Sequence, residues 1–136
     1  MHTGAVLISH GYMAKETLNS AQMITGPTDN AYSFTMLADN SIQKTKKELK
    51  ELLNSLYDYN ELIIFADILG GTPCNIAIQE VAQEKKLKLV SGFNLGIIIE
   101  TLTLINTGST IDIDSIVQSG KSNIEKITAK IDNMSK

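Results

Sequence analysis

"VLISHGYMAKETL", residues 6–18, begins as a strand and ends as a helix. Val6, Leu7 and Ile8 make the unbroken apolar run of a strand buried on both faces, Gly11 provides a turn, and Ala14, Leu18 and Ala21 recur at the spacing of one helix face. His10 stands at the junction. The same strand-turn-helix unit recurs downstream. Residues 4–9 read as a first strand, and a helix over 12–25 stops at Gly26 and Pro27, a common helix ending. A second strand covers 32–37. A helix over 41–56 then carries Ile42, Leu49, Leu52, Leu53 and Leu56 at helical spacing, with lysine and glutamate opposite. A third strand spans 62–66. After "DILGG", Thr72 is placed to cap a helix with Pro73 in its first turn and Cys74, Ala77, Ile78, Val81 and Ala82 facing inward. The fourth strand is 87–91, and Asn94 is placed to cap a helix lined by Leu95, Ile98, Ile99, Leu102 and Ile105.

Strict alternation of strand and helix implies an α/β domain with an open, doubly wound parallel sheet and helices on both faces, because every parallel pair needs a crossover. In the common form of this fold the strand order begins 2-1-3-4, so strands 1 and 3 are neighbours and the winding reverses between them. Ligands bind in the crevice at the carboxyl ends of those two strands. His10 follows strand 1 and Asp67 follows strand 3, so two residues more than fifty apart in sequence are expected to meet there.

With 136 residues, 43% of them apolar, the chain fits a single domain, 1–136, that buries roughly two thirds of its unfolded surface. Its α/β core is expected over 1–123, with 124–136 as a carboxyl-terminal segment. The net charge of −3 is well mixed apart from a lysine-rich patch at 44–50, which solvates a helix or docks a partner protein; nucleic acid is a poor candidate partner. No basic segment precedes the first apolar run, and no apolar stretch approaches the roughly 20 residues needed to cross a bilayer, so a cytoplasmic protein is expected. One cysteine, Cys74, and two histidines leave too few soft ligands for structural zinc, and no metal or cofactor is expected.

A carboxylate that accepts a hydrogen bond from one imidazole nitrogen fixes the tautomer of the ring and leaves the other nitrogen with a free lone pair. Asp67 holding Nδ1 of His10 would aim Nε2 into the crevice as a nucleophile. Two helix starts, one after Gly11 and one after Thr72, would direct unpaired backbone N–H groups at the same spot. Gly70 and Gly71 let backbone approach an anion, and the Thr72 hydroxyl adds a donor. Phosphate is the natural occupant. Each feature also has a plainer explanation. A histidine at a strand end is often only a solvated polar group, Gly-Gly before a capped helix is ordinary loop chemistry, and the P-loop lysine is missing. Cys74 falls on the buried face of its helix, as a core residue would. His2 lies at a terminus.

"SHG" after strand 1, "DILGGTPCN" after strand 3 and "SGFNLGIIIETL" after strand 4 resemble, in order and spacing, the IIA domain of the mannose family of the bacterial phosphotransferase system. The resemblance covers essentially the whole chain. It implies a phosphotransferase that carries phosphate on a histidine, taking it from the phosphocarrier protein HPr and passing it to a IIB component for sugar uptake. The family's phosphorylated histidine corresponds to His10, its orienting aspartate to Asp67, and its Gly-Gly-Ser/Thr-Pro loop to Gly70, Gly71, Thr72 and Pro73. It also implies peripheral association with membrane permease subunits, and a homodimer exchanging a carboxyl-terminal strand. That strand would fall at 125–131, where "EKITAKI" alternates as a strand although helical spacing persists to about Asn123 and beyond.

The chain departs from the family pattern twice. Gly96 stands where proline is common, which loosens the start of the fourth helix, and Cys74 stands where an aromatic residue is common, which alters the rim or its packing. No Ala/Pro-rich linker follows, so the IIB partner is expected to be a separate polypeptide. Competing functions are the phosphotransfer subunit of a dihydroxyacetone kinase, which resembles this family in fold but has a different strand-3 motif, and a non-catalytic anion- or nucleotide-binding module. A histidine phosphatase ranks last, since the sequence contains no arginine to surround the phosphate. The sugar is not legible, because a IIA protein does not touch it.

Overall fold

The computed structural model describes residues 2–134. Strands β1 (Thr3–His10), β2 (Ala31–Met36), β3 (Glu61–Ala66) and β4 (Leu87–Ser91) form one parallel sheet in the order β2-β1-β3-β4. Helices α1 (Met13–Thr25), α2 (Ile42–Ser55), α3 (Thr72–Val81) and α4 (Leu95–Asn106) each follow a strand, and α5 (Ile113–Ser122) and α6 (Ile127–Met134) complete the chain. The expected order is therefore the one formed, and β1 and β3 are neighbours at the reversal of winding.

The two central strands are buried on both faces, and their alternate side chains feed two cores. Ala5 and Leu7 of β1 and Ile63 and Phe65 of β3 pack with Ala14, Leu18 and Ala21 of α1, Ile98 and Leu102 of α4, and Ile116 of α5. Val6, Ile8, Leu62 and Ile64 pack with Leu49 and Leu53 of α2 and with Cys74, Ile76 and Ala77 of α3. Continued by two residues, this alternation sends Ser9 toward α1 and His10 toward α3. At the opposite end of the sheet, His2 stacks on Tyr59 with ring centroids 4.2 Å apart, and the Tyr59 hydroxyl donates to Asn30 Oδ1 at 3.0 Å. Burial, reinforced by the Tyr32 hydroxyl 2.7 Å away, pushes the Tyr59 hydroxyl well above its ordinary range and keeps it protonated.

Three helix faces differ from their expected composition. In α3 the buried residues are Pro73, Cys74, Ile76 and Ala77, while Ile78 is exposed and Ala82 lies beyond the helix. In α4, Ile97 and Thr101 are buried and Leu95 is exposed. Both helices contain three consecutive apolar or small residues, so periodicity leaves the phase undetermined by one position and the sheet beneath decides it. In α2, Ile42 is exposed and Thr45 takes an inward place, its hydroxyl donating to the Ser41 carbonyl oxygen at 2.9 Å.

The sequence leaves 124–136 open between a helix and an exchanged strand at 125–131. α5 is capped by Asp112 and closes at Asn123, after which α6 is a helix with no buried residue. Gly96 is the second residue of α4. Asn94 caps α4 by accepting from the Ile97 N–H at 3.0 Å and donates through its side-chain amide to the Gly120 carbonyl oxygen at 2.9 Å. Without a Cβ, Gly96 leaves room for the Asn123 side chain.

Candidate functional site

His10 is the last residue of β1 and Asp67 the first after β3, and the Asp67 N–H extends the ladder by donating to the Ile8 carbonyl oxygen at 3.2 Å. Parallel pairing of the two strands thus carries both side chains to the same end of the sheet. Asp67 Oδ2 accepts from the His10 backbone N–H at 2.9 Å and lies 2.7 Å from Nδ1 of the imidazole, while Oδ1 accepts from the Ile68 N–H at 2.9 Å. Burial raises the pKa of Asp67, whose side chain is only 9% exposed, but the backbone and side-chain hydrogen bonds from His10 outweigh it and hold the carboxyl below its usual range. An ionised carboxylate is an acceptor only, so Nδ1 is the donor and Nε2 keeps its lone pair. The imidazole is half exposed, with Nδ1 facing the buried carboxylate.

The turn between β1 and α1 is held by a residue whose part the sequence did not disclose. Ser9 is fully buried; its Oγ accepts from the Ala14 N–H at 2.7 Å and donates to the Gly11 carbonyl oxygen at 3.2 Å. It therefore acts as the side-chain cap of α1, whose N-cap position, Tyr12, makes no such bond. A serine closing an otherwise apolar strand, just before a turn, was the available signal. Gly11 adopts φ 57° and gives its N–H to the Met36 carbonyl oxygen at 2.8 Å, so it serves the turn and its own amide is spent.

On the other side, Gly70 adopts φ 88°, and Gly71, not Thr72, occupies the N-cap position of α3. Thr72 is the first helical residue and Pro73 the second, because the extended backbone of Gly71, φ −81° and ψ 160°, already turns the chain into the helix. Asp67 meets His10 through Oδ2, while its Oδ1 accepts from the adjacent Ile68 N–H, so its place does not depend on Thr72 as a cap. Asn75, a second residue the sequence did not single out, reaches back to the Gly70 carbonyl oxygen at 3.5 Å. Cys74 is buried as expected. Burial and the negative charge of Asp67 push its thiol upward against a bond from the Gly70 backbone, which leaves a protonated thiol of little nucleophilicity. Tyr12, Met13, Ile68 and Leu69 are apolar yet exposed, and all four follow directly on the strand ends that carry His10 and Asp67.

The chain belongs to the family described as PTS system fructose IIA component (EIIA-man), whose model matches residues 4–119 and so includes His10, Asp67 and 70–73. It is 30% identical to the fructose-specific EIIA component of Bacillus subtilis strain 168 over 101 residues, 74% of this chain and 69% of that protein. It is 22% identical to the mannose-specific EIIAB component of Escherichia coli K12 over 132 residues, 96% of this chain but 41% of that longer protein. Among solved structures, the mannose/sorbose-specific IIA subunit from Enterococcus faecalis superposes with a TM-score of 0.79 at 31% identity, over 93% of this chain and 95% of that one. No helix among the described residues is long and apolar enough to cross a membrane.

Proposed function

We propose that this chain is a phosphoryl carrier of a sugar phosphotransferase system, with His10 accepting the group from HPr and handing it to a IIB component. The observation that carries this reading is the 2.7 Å contact between His10 Nδ1 and ionised Asp67, which leaves Nε2 as the basic nitrogen on a half-exposed ring. In the first transfer, the Nε2 lone pair forms a bond to phosphorus as the N–P bond of the donor phosphohistidine breaks and its electron pair returns to the donor nitrogen. The His10 ring gains positive charge, which Asp67 offsets through the Nδ1–H it already holds. The second transfer runs the same exchange toward IIB.

The phosphoryl group passes through a loose transition state, so alignment and charge stabilisation suffice and the reaction needs no metal or cofactor. The amino end of α3 lies beside the ring, since a Cβ on Gly71 would stand 3.5 Å from Nε2, and in this reading the backbone there and the Thr72 hydroxyl would donate to the phosphoryl group. HPr and IIB would dock in turn on the exposed apolar residues around His10, and the IIB would work at a membrane permease that this chain touches only peripherally. We place the reaction in the cytoplasm and the whole activity in a single domain. The exposed Ile127, Ile131 and Met134 on one face of α6 support a homodimer joined through the carboxyl-terminal segment. The relatives named above are specific for different sugars, and the sugar transported here is left to the membrane subunits.

The test is transfer of labelled phosphate from phosphoenolpyruvate through enzyme I and HPr to the purified chain. Acid-labile label on the wild type, absent from His10→Gln, is expected. A wild type that stays unlabelled beside active HPr would reject the carrier role in favour of a binding module.

A further inference from the structure

The two glycines of the loop before α3 do different work. Gly70 has a backbone conformation that favours glycine, φ 88°, and a Cβ there would meet nothing within 4 Å. Gly71 has the reverse combination. Its φ of −81° and ψ of 160° are open to any residue, but a Cβ would fall 2.8 Å from His10 Cε1, 3.5 Å from His10 Nε2 and 3.0 Å from Ile68 Cγ2. Backbone strain therefore gives no reason for glycine at 71, and the demand that the free protein places on that position is steric.

To clear such a Cβ, Cε1 has to retreat, and Cε1 is bonded directly to the Nδ1 that Asp67 holds. The imidazole ring is rigid, and Nδ1 is fixed 2.7 Å from Asp67 Oδ2. Rotation about χ1 toward solvent would clear the clash, and the half-exposed ring has space to do so, but this motion takes Nδ1 away from the carboxylate. We propose that Gly71 is a positioning residue for His10, the bare backbone wall against which the imidazole lies so that Asp67 holds Nδ1 and Nε2 faces the crevice. Its consequence for phosphoryl transfer rests on the carrier reading; the wall itself does not.

Two measurements test it. The first is the nitrogen-15 NMR spectrum of the His10 ring at a pH where it is neutral. Wild type should show Nδ1–H, and Gly71→Ala should move toward the Nε2–H tautomer favoured by a free imidazole, with transfer from HPr slowed on the order of tenfold or more as the nucleophile loses alignment. The second is a double-mutant cycle in thermal stability. Gly71→Ala should lower the melting midpoint of the wild type but leave that of His10→Ala nearly unchanged, because the clashing ring is gone.

An unaltered Nδ1–H tautomer in Gly71→Ala would overturn the proposal. So would an equal loss of stability in both backgrounds, which would assign the constraint to Ile68. If Gly71→Ala does not fold at all, recovery of folding in His10→Ala/Gly71→Ala supports the wall and continued failure rejects it. An unlabelled wild type would reject the carrier reading alone, since the tautomer and the cycle decide Gly71 without any phosphate.

Discussion

At the scale of single residues, Asp67 sets the chemistry of the site by staying ionised in a nearly buried place. Three donors, two from His10 and one from Ile68, hold its folded pKa below the ordinary 3.8. A carboxyl depressed on folding contributes stability that is fully present above its unfolded pKa and is lost as pH falls through the lower folded value. Urea unfolding between about pH 6 and pH 3 should therefore show wild type losing stability from about pH 4 downward, and Asp67→Asn should have a shallower acid slope. The same variant should accept label from HPr more slowly than wild type, because an amide does not offset charge on the ring. Ser9→Ala removes the acceptor from the Ala14 N–H in a fully buried setting and should cost about 1 to 2 kcal/mol in urea unfolding. His10 and Asp67 were legible in the sequence because strand ends and the winding reversal can be counted along the chain. The cap supplied by Ser9 was not, and Gly71 was legible only as a place for an anion to approach, since its contact with the His10 ring depends on which atom it meets.

At the scale of elements, α4 and α5 show how sequence pattern specifies a helix without specifying its neighbour. The Asn94 cap was evident, and the structure gives it the Ile97 N–H as expected. That the same side chain also donates to Gly120 on α5 required the two helices to be brought together. Gly120 is buried where they cross, and a Cβ there would stand 3.1 Å from both Cβ and Cδ1 of Ile97. A β-branched side chain has little freedom to swing aside on a helix, so Gly120→Ala should destabilise the chain by about 1 to 3 kcal/mol, measured by urea unfolding. Little change would show that α5 slides on α4. The misplaced faces of α3 and α4 have a related origin. Ile76, Ala77 and Ile78, like Ile97, Ile98 and Ile99, offer apolar surface over a wide arc, and the sheet selects which part is covered.

At the scale of the whole molecule, the sheet with α1 to α5 forms two continuous cores, and α6 contributes no buried residue to either. A chain cut after Asn123 should therefore keep a cooperative thermal transition and still accept phosphate on His10. Light scattering should find the full chain as a dimer and the shortened one as a monomer. Loss of cooperative melting on shortening would show that the tail supports the core, and a monomeric full chain would reject dimerisation through this segment.

The sequence by itself determined the α/β class, the order of elements, the strand order and the pairing of His10 with Asp67. All of these follow from local periodicity and from the few ways parallel strands can be connected. Tertiary structure alone decided the phase of two helix faces, the cap supplied by Ser9 and the wall supplied by Gly71. Each of these depends on contacts between atoms distant along the chain or on the exact turn of the backbone, and residue type and spacing do not encode such distances.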